Sequence, residues 1–350
     1  MLRNIKISAK ITALVLGLTV LAILAISLFT FQVNLQSIQD KYQQQLAVVA
    51  DARTAQVNAA LQTHETQIQL LQSALGVIPV DSLAAALPRF KAQLQISDIL
   101  LVDRKGNIQQ STNDSLTVGG VLVDPDGTFY DAAVRQPSVS TAKKVGTRYT
   151  AFAGGAFGEQ ILLIPLDLTA LFASVSAEDG LGASGEIWIA KQDPITKKII
   201  QMGSLRSAPN AAQKILAVES PAAQPVLWAL EGKGESGVTT DYRNEEVLAA
   251  WRKVPATGWA LVAKIDQKEI QGQRAALSGI YWGAGIAIAL TAIAFAMFFA
   301  RSLTEPLNNT RTILDMVARG ELPEQSTYER ADEFGLMTRK VDQLVQTLKS

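Results

Sequence analysis

The residues able to do chemistry are few and poorly placed for catalysis. The chain holds one histidine, His64, and no cysteine. Thiol nucleophiles, disulfides, finger-type zinc sites and His-pair metal centres are therefore excluded. A Ser-His-Asp relay would need His64, which falls on the apolar stripe of a long helical pattern. Glu159, Asp167 and Asp179 offer carboxylates, yet nothing in their spacing fixes a glycosidase separation. Gly119-Gly120 and Gly154-Gly155 lack the strand and helix context of a phosphate loop and read as turns. Asp124, Asp126 and Gly127 begin like a calcium loop, but Arg135 stands at the twelfth position, where the bidentate Glu belongs. A solvated turn is expected there. No metal, no cofactor and no enzyme activity are implied for these 350 residues. The residues point to binding.

Basic and acidic residues balance at 32 each, which removes the electrostatic attraction that nucleic-acid binding relies on. Hydrophobic residues make up 48% and charged residues only 18%, so the apolar residues must lie in blocks. Two blocks stand out. Ile11 to Phe31 is uncharged and long enough, at ~1.5 Å per residue, to cross a ~30 Å hydrocarbon core. Ala275 to Ala300 is the second, with Tyr281 and Trp282 as an interfacial anchor among the lipids. A cleaved signal sequence competes for the first block, but its apolar region is unusually long and no convincing small-x-small site follows. Arg3, Lys6 and Lys10 precede the first block and Arg301 follows the second. The positive-inside rule then predicts two cytoplasmic termini and an outer region over 32–274, periplasmic in a cell with two membranes.

Outside the membrane the pattern changes at Gly76. Residues 18–75 contain neither Gly nor Pro, whereas ten of the 12 prolines fall between Pro79 and Pro255. One continuous helix is predicted to leave the membrane and end near Gly76. Its outer part, Gln32 to Leu75, would rise ~66 Å at ~1.5 Å per residue. Leu61, His64, Ile68, Leu71 and Leu75 form a three-four stripe for packing against a domain or a second copy. Beyond Gly76, apolar runs alternate with turns. Strands are predicted at 99–102 and 108–111 around the Asp103 to Asn107 turn, and at 148–153 and 160–165, with a short helix over 169–174. From Gly182 the sequence repeats the plan, with strands at 187–191, 198–202, 237–242, 246–252 and 259–265. The fold class is α+β: two small units stacked on one helix, 77–176 and 177–270.

This order of elements resembles the tandem (double) Cache sensor of bacterial receptors, a PAS-like fold. The stretches Asp241 to Arg252 and Gly258 to Asp266 are similar to the last strands of the membrane-proximal Cache unit. Asn244 stands where that family usually has Gly, which a left-handed turn position tolerates.

Residues 301–350 carry two narrow heptad seams, Leu303, Leu307, Thr310, Leu314, Val317 and Phe334, Met337, Val341, Leu344, Leu348. Such seams are too thin to bury a core within one chain, so a homodimer with a parallel four-helix coiled coil is expected. Pro306 suits a first helical turn, Gly320 a helix end, and Glu333 with Gly335 the start of the second helix. This segment resembles the HAMP linker, with Pro306, Glu333 and Gly335 matching its pattern and Ser326 departing from it where the connector usually carries an apolar residue, with Tyr328 as the candidate substitute. The resemblance implies transmission to a downstream cytoplasmic output domain, with 1–10 cytoplasmic, 11–31 and 275–300 in the inner membrane, 32–76 the outer helix, and 301–350 the linker.

In Cache receptors for amino acids, the resemblance implies an Arg-x-Trp-Tyr run that clamps the ligand carboxylate and a later Asp that holds its amine. Phe129-Tyr130 stands at the Trp-Tyr position and Asp167 at the Asp, while Gly127 replaces the Arg. Arg135 could stand in if turned inward, and Tyr149 could form a further wall. Asp167 could equally cap the helix that starts near Thr169. The expectation is a small cationic or neutral polar ligand, or an empty vestigial pocket. A protein-docking role without a metabolite is the alternative.

Overall fold

The computed structural model describes residues 7–177, 180–207, 215–321 and 333–349. Arg3, Lys6, Asp179, Ser326 and Tyr328 lie outside the described residues. The chain divides into two compact units, Ser37–Gln273 and a second made of Met1–Gln36 with Arg274–Ser350.

Helix α1 runs unbroken over Ile7–Leu75, without Pro and with neither Gly nor Pro from residue 18 to its end. It stops where the Gly76 amide bonds to the Gln72 carbonyl at 3.0 Å, and Pro79 precedes α2 (Val80–Gln93). Leu46, Ala50, Val57, Leu61, Ile68, Leu71 and Leu75 are buried along one face of α1. His64 sits half-buried beside this row, its Nδ1 2.9 Å from the Gln67 amide oxygen.

That face carries two antiparallel six-stranded sheets. The first contains β1 (Leu100–Val102), β2 (Ile108–Ser111), β3 (Ser138–Val139), β4 (Lys143–Val145), β5 (Arg148–Phe157) and β6 (Gln160–Asp167), ordered β2-β1-β6-β5-β3, with β4 also on β5. The second contains β7 (Glu186–Gln192), β8 (Ile199–Met202), β9 (Ile215–Leu216), β10 (Ser236–Thr240), β11 (Glu246–Val254) and β12 (Trp259–Asp266), ordered β10-β11-β12-β7-β8-β9. In both, the last strand returns to pair with the first strand of the opening hairpin: β6 with β1, and β12 with β7. The predicted repeat is therefore a repeat of topology. One core, including Leu61, Ile99, Leu162, Phe172, Ile187 and Leu261, fills the α1 side of both sheets. On the opposite, outer faces, α3 (Phe129–Arg135) covers the first sheet and α5 (Gln224–Leu230), entered through the 3-10 turn Pro221–Ala223, covers the second.

One turn expectation is corrected. Gly154-Gly155 lies inside β5, and the strand continues to Phe157. A Cβ on Gly154 would lie 2.9 Å from Phe129 Cζ, and one on Gly155 would lie 2.5 Å from Ile68 Cγ2. Adjacent residues of a strand face opposite sides, so two successive glycines let α3 approach one face and α1 the other. The Asn244 turn follows expectation, with φ +65° and its amide bonded to the Asp241 carbonyl at 2.8 Å.

In the second unit, α6 (Gln267–Ala318) follows β12 directly and α7 spans Glu333–Lys349. Among the described residues, Gln267–Phe298 is the helical segment long and apolar enough to cross a membrane; Gly17–Ser27 of α1 is apolar but shorter. Pro306 does not open a helix: it is buried deep within α6, whose preceding apolar run carries the helix through it. Gly320, at φ +81°, ends α6. Its amide reaches the Val317 carbonyl at 3.0 Å and the Glu321 amide reaches Met316 at 3.1 Å, a Schellman cap. Glu333 opens α7, and Gly335 is buried.

Candidate functional site

The outer face of the first sheet holds part of the anticipated constellation. Asp124 sets it up: its carboxylate accepts the backbone N–H groups of Phe129 at 3.1 Å and Tyr130 at 2.9 Å. These are donors left unpaired at the start of α3. Phe129 and Tyr130 are thereby turned onto the sheet and buried with Leu100, Val102, Ile108, Ile161 and Leu163. The Tyr130 hydroxyl donates to the Leu122 carbonyl at 2.8 Å. Burial, reinforced by the nearby Asp124 and Asp103 charges, pushes this phenol up to about 12, so it stays a donor at neutral pH.

Asp167 ends β6 in the register of Ile161 and Leu163, which places it on the same outer face. Its side chain is half exposed, with Arg148 Nε 4.0 Å away. Its Oδ1 accepts the Thr169 amide at 2.9 Å, so it ties down the first turn of α4 (Thr169–Val175). The Thr169 hydroxyl and amide, with Arg148, hold its carboxyl below the usual carboxylate range despite some burial. The cap and an open carboxylate coexist in one residue.

The other two anticipated residues lie elsewhere. Tyr149 is one residue out of phase on β5 and faces α1, edge-on to Phe172 with ring centroids 5.3 Å apart. A strand cannot bring it to the Tyr130 side. Arg135 is the last residue of α3 and is exposed, beside the negative helix end rather than turned inward. Phe129 and Tyr130 thus pack against the Ile161 to Leu163 part of the outer face, Asp167 lies further along the same strand opposite Thr150, and the side chains of Tyr149 and Arg135 lie apart from all three.

The Asp124 to Gly127 segment is more than a solvated turn. Both Asp126 oxygens accept the Thr141 amide, at 3.1 and 3.0 Å, and Lys191 Nζ of β7 lies 2.8 Å from Asp126 with that carboxylate only 5% exposed. Sequence reasoning missed this pairing because its partners are distant in the chain.

A second polar constellation, also unanticipated, sits where the second sheet feeds α6. Lys264 of β12, 1% exposed, lies 2.6 Å from Asp241 and 2.9 Å from Glu186. Tyr242 donates to Glu186 at 2.7 Å, and the Lys264 ammonium stands 4.7 Å over the Tyr242 ring. Arg243 joins Asp241 at 2.7 Å and also bonds Asp266. Burial pushes both Glu186 and Asp241 upward, but Lys264 and the surrounding donors outweigh it and hold both below their ordinary values. One turn further on, Glu269 of α6 accepts the amides of Ala183 at 2.9 Å and Ser184 at 2.7 Å, together with the Ser184 hydroxyl at 2.5 Å. Gly182 permits this grip, since a Cβ there would lie 2.7 Å from the Glu269 carboxylate.

No protein-family model and no curated protein sequence matches the chain. Among solved structures, the sensory domain of the Campylobacter jejuni chemoreceptor Tlp3 (CcmL) is similar over 68% of this chain and 98% of that one, at 14% identity and TM-score 0.46. The Tlp3 ligand-binding domain in complex with L-valine is similar over 68% and 97%, at 14% identity and TM-score 0.46. The ligand-binding domain of the Pseudomonas aeruginosa PAO1 amino acid chemoreceptor PctB, in complex with L-Arg, is similar over 66% and 97%, at 12% identity and TM-score 0.46. All three are sensory or ligand-binding domains of chemoreceptors.

Proposed function

We propose that this chain is the input half of a transmembrane receptor. In this reading the two-sheet unit is a tandem Cache module outside the inner membrane, and α6 carries its conformational state to a HAMP linker at 301–350. The single observation that carries the reading is covalent. Central strand β12 passes into α6 with no intervening residue, and α6 contains the segment able to span a bilayer. A displacement of that strand must move the helix. The first membrane span is assigned to 11–31, on its uncharged sequence, and the module to 32–274, on the basic flanks.

The ligand is assigned to the outer face of the first sheet, as a small cationic or neutral polar molecule held through Asp167 and bordered by Tyr130. Asp167 supports this as a half-exposed, ionised carboxylate on that face. Phe129 is already committed to the core, and neither Tyr149 nor Arg135 joins the site. The test is thermal denaturation of the full chain in lipid nanodiscs against small amines, basic, neutral and acidic amino acids. A ligand at 100 times its Kd should stabilise the fold by about 2.7 kcal/mol, and Asp167→Ala should abolish the shift. An upward shift with acidic amino acids that survives Asp167→Ala would overturn the assignment.

A partner-sensing role is favoured by one observation: Val118, Val121 and Val123, before α3, are 64%, 64% and 80% exposed. If docking there is the input, Val121→Glu with Val123→Glu should abolish signalling without altering stability.

A further inference from the structure

We propose that strand β7 is the mechanical link between the two sheets' units and the root of the membrane helix, gripped at one end by Asp126 and at the other by Glu269. The purpose of such a link rests on the receptor reading above; its existence does not. At the far end of β7, Lys191 reaches across to Asp126, whose carboxylate is simultaneously held by the Thr141 amide. Asp126 also donates its amide to Asp124 at 2.9 Å, and Asp124 is the cap that seats Phe129 and Tyr130 on the first sheet. The same short segment touches the β7–β8 turn, where a Cβ on Gly127 would come within 2.6 Å of Ile195 Cδ1. Anything that moves the start of α3 therefore pulls on Lys191.

At the near end, the two residues that bind Glu269 sit immediately before the strand, separated from it by Gly185 alone. Gly185 leaves no slack, for a Cβ there would fall 1.9 Å from the Leu181 carbonyl oxygen. Between its ends β7 is stiff. It is paired with β12 from Glu186 through Ala190 and with β8 from Ile189 through Gln192, and Glu186 is pinned by Lys264 and Tyr242. Ser184 closes the circuit, since its hydroxyl accepts the Asp266 amide at 3.0 Å while donating to Glu269. The first turn of α6 is thus bonded to the β7 entry loop, and Ile270 is fully buried beneath it. Lys191 and Ser184 are seven residues apart, roughly 23 Å along an extended chain. Sites at that separation are normally independent.

The experiment is hydrogen–deuterium exchange on the full chain in nanodiscs, with each rate taken relative to residues 247–252 of β11 so that a general loosening cancels. Lys191→Met should speed exchange at 181–187 and 266–272 by at least fivefold, and Glu269→Gln should speed exchange at 138–143, where the Thr141 amide reports on Asp126. Coupling between two sites acts in both directions, so both effects are required. Lys198→Met, an exposed lysine in the following turn, should do neither. If each variant perturbs only its own end, or if Lys198→Met has the same effect as Lys191→Met, the link is refuted. Two-way coupling in a chain that shows no ligand-induced shift would keep the link and reject the ligand assignment; a ligand-induced shift with uncoupled ends would do the reverse.

Discussion

Lys264 decides how the second sheet responds to acid. Its ammonium, 1% exposed, separates two carboxylates that are themselves 3% and 1% exposed. Replacing it by Met removes the charge and keeps the length, leaving Glu186 without its cation and Asp241 with Arg243 alone. Breaking a buried pair in this way costs about 3–5 kcal/mol, to be read from chemical denaturation of the full chain at pH 7. The pH dependence should then reverse sign. In the natural chain both carboxyls are held below their ordinary values of 4.5 and 3.8. The folded state therefore binds fewer protons than the unfolded state, and this stabilisation is complete above those values and lost as the pH falls through the depressed ones. In Lys264→Met, Asp241 keeps Arg243, but burial and the facing Asp241 charge raise the folded value of Glu186 instead, so mild acid should stabilise. A variant whose stability still falls with acid below pH 5 in parallel with the natural chain would show that Lys264 does not govern the pair. Asp167 offers the milder contrast: its carboxyl is also lowered, but it is half exposed, and solvent screening leaves little stability in its pairing with Arg148.

At the scale of elements, β5 shows what two glycines accomplish. Gly155→Val would drive a branched side chain into Ile68 and Gln72 of α1 and disturb the Gln72 bond to the Ala156 carbonyl. A cost of about 1–3 kcal/mol is expected. Gly237→Val on β10, where a Cβ would meet only Trp251 at 3.7 Å, should cost less than the β5 variant; equal losses would mean that close helix approach is not why β5 is glycine-rich. The same pair marks the limit of reading the sequence. Strands, the long helix and the repeat were legible because apolar periodicity and the distribution of Gly and Pro are local signals. The diglycine was read as a turn because its cause, helices arriving on both faces, lies more than fifty residues away on one side. For Tyr149 the sequence makes the strand position obvious but not its phase relative to the core, so the ligand wall and the core look alike. Asp124 and Asp126 looked solvated for the same reason: the amides and the lysine that occupy them belong to other elements. At Pro306 the local preference for a helix start yields to the longer apolar run that carries α6 through it.

For the whole molecule, the C-terminal helices predict their own partner. In the single chain, burial falls on Pro306, Thr310 and Ile313 of α6 and on Gly335, Thr338 and Val345 of α7. Four leucines of the heptad seams stay open: Leu307 is 53% exposed, Leu314 45%, Leu344 51% and Leu348 56%. Leucines repeated at three-four spacing on two helices form a stripe that water disfavours, and each one buried in a second copy contributes about 1.5–3 kcal/mol. The expected arrangement is a parallel homodimer with these residues inside. The absence of cysteine makes the test clean, because any introduced thiol is the only one in the chain. Val341→Cys, in the seam of α7, should cross-link rapidly between copies in membranes under mild oxidation. Lys340→Cys, one residue away on the exposed side, should cross-link slowly. The order matters more than the absolute rates, since collision between unpaired chains would oxidise the exposed thiol first. If Lys340→Cys cross-links faster than Val341→Cys, the seam is turned the other way and the leucines serve some contact other than a symmetric four-helix coil.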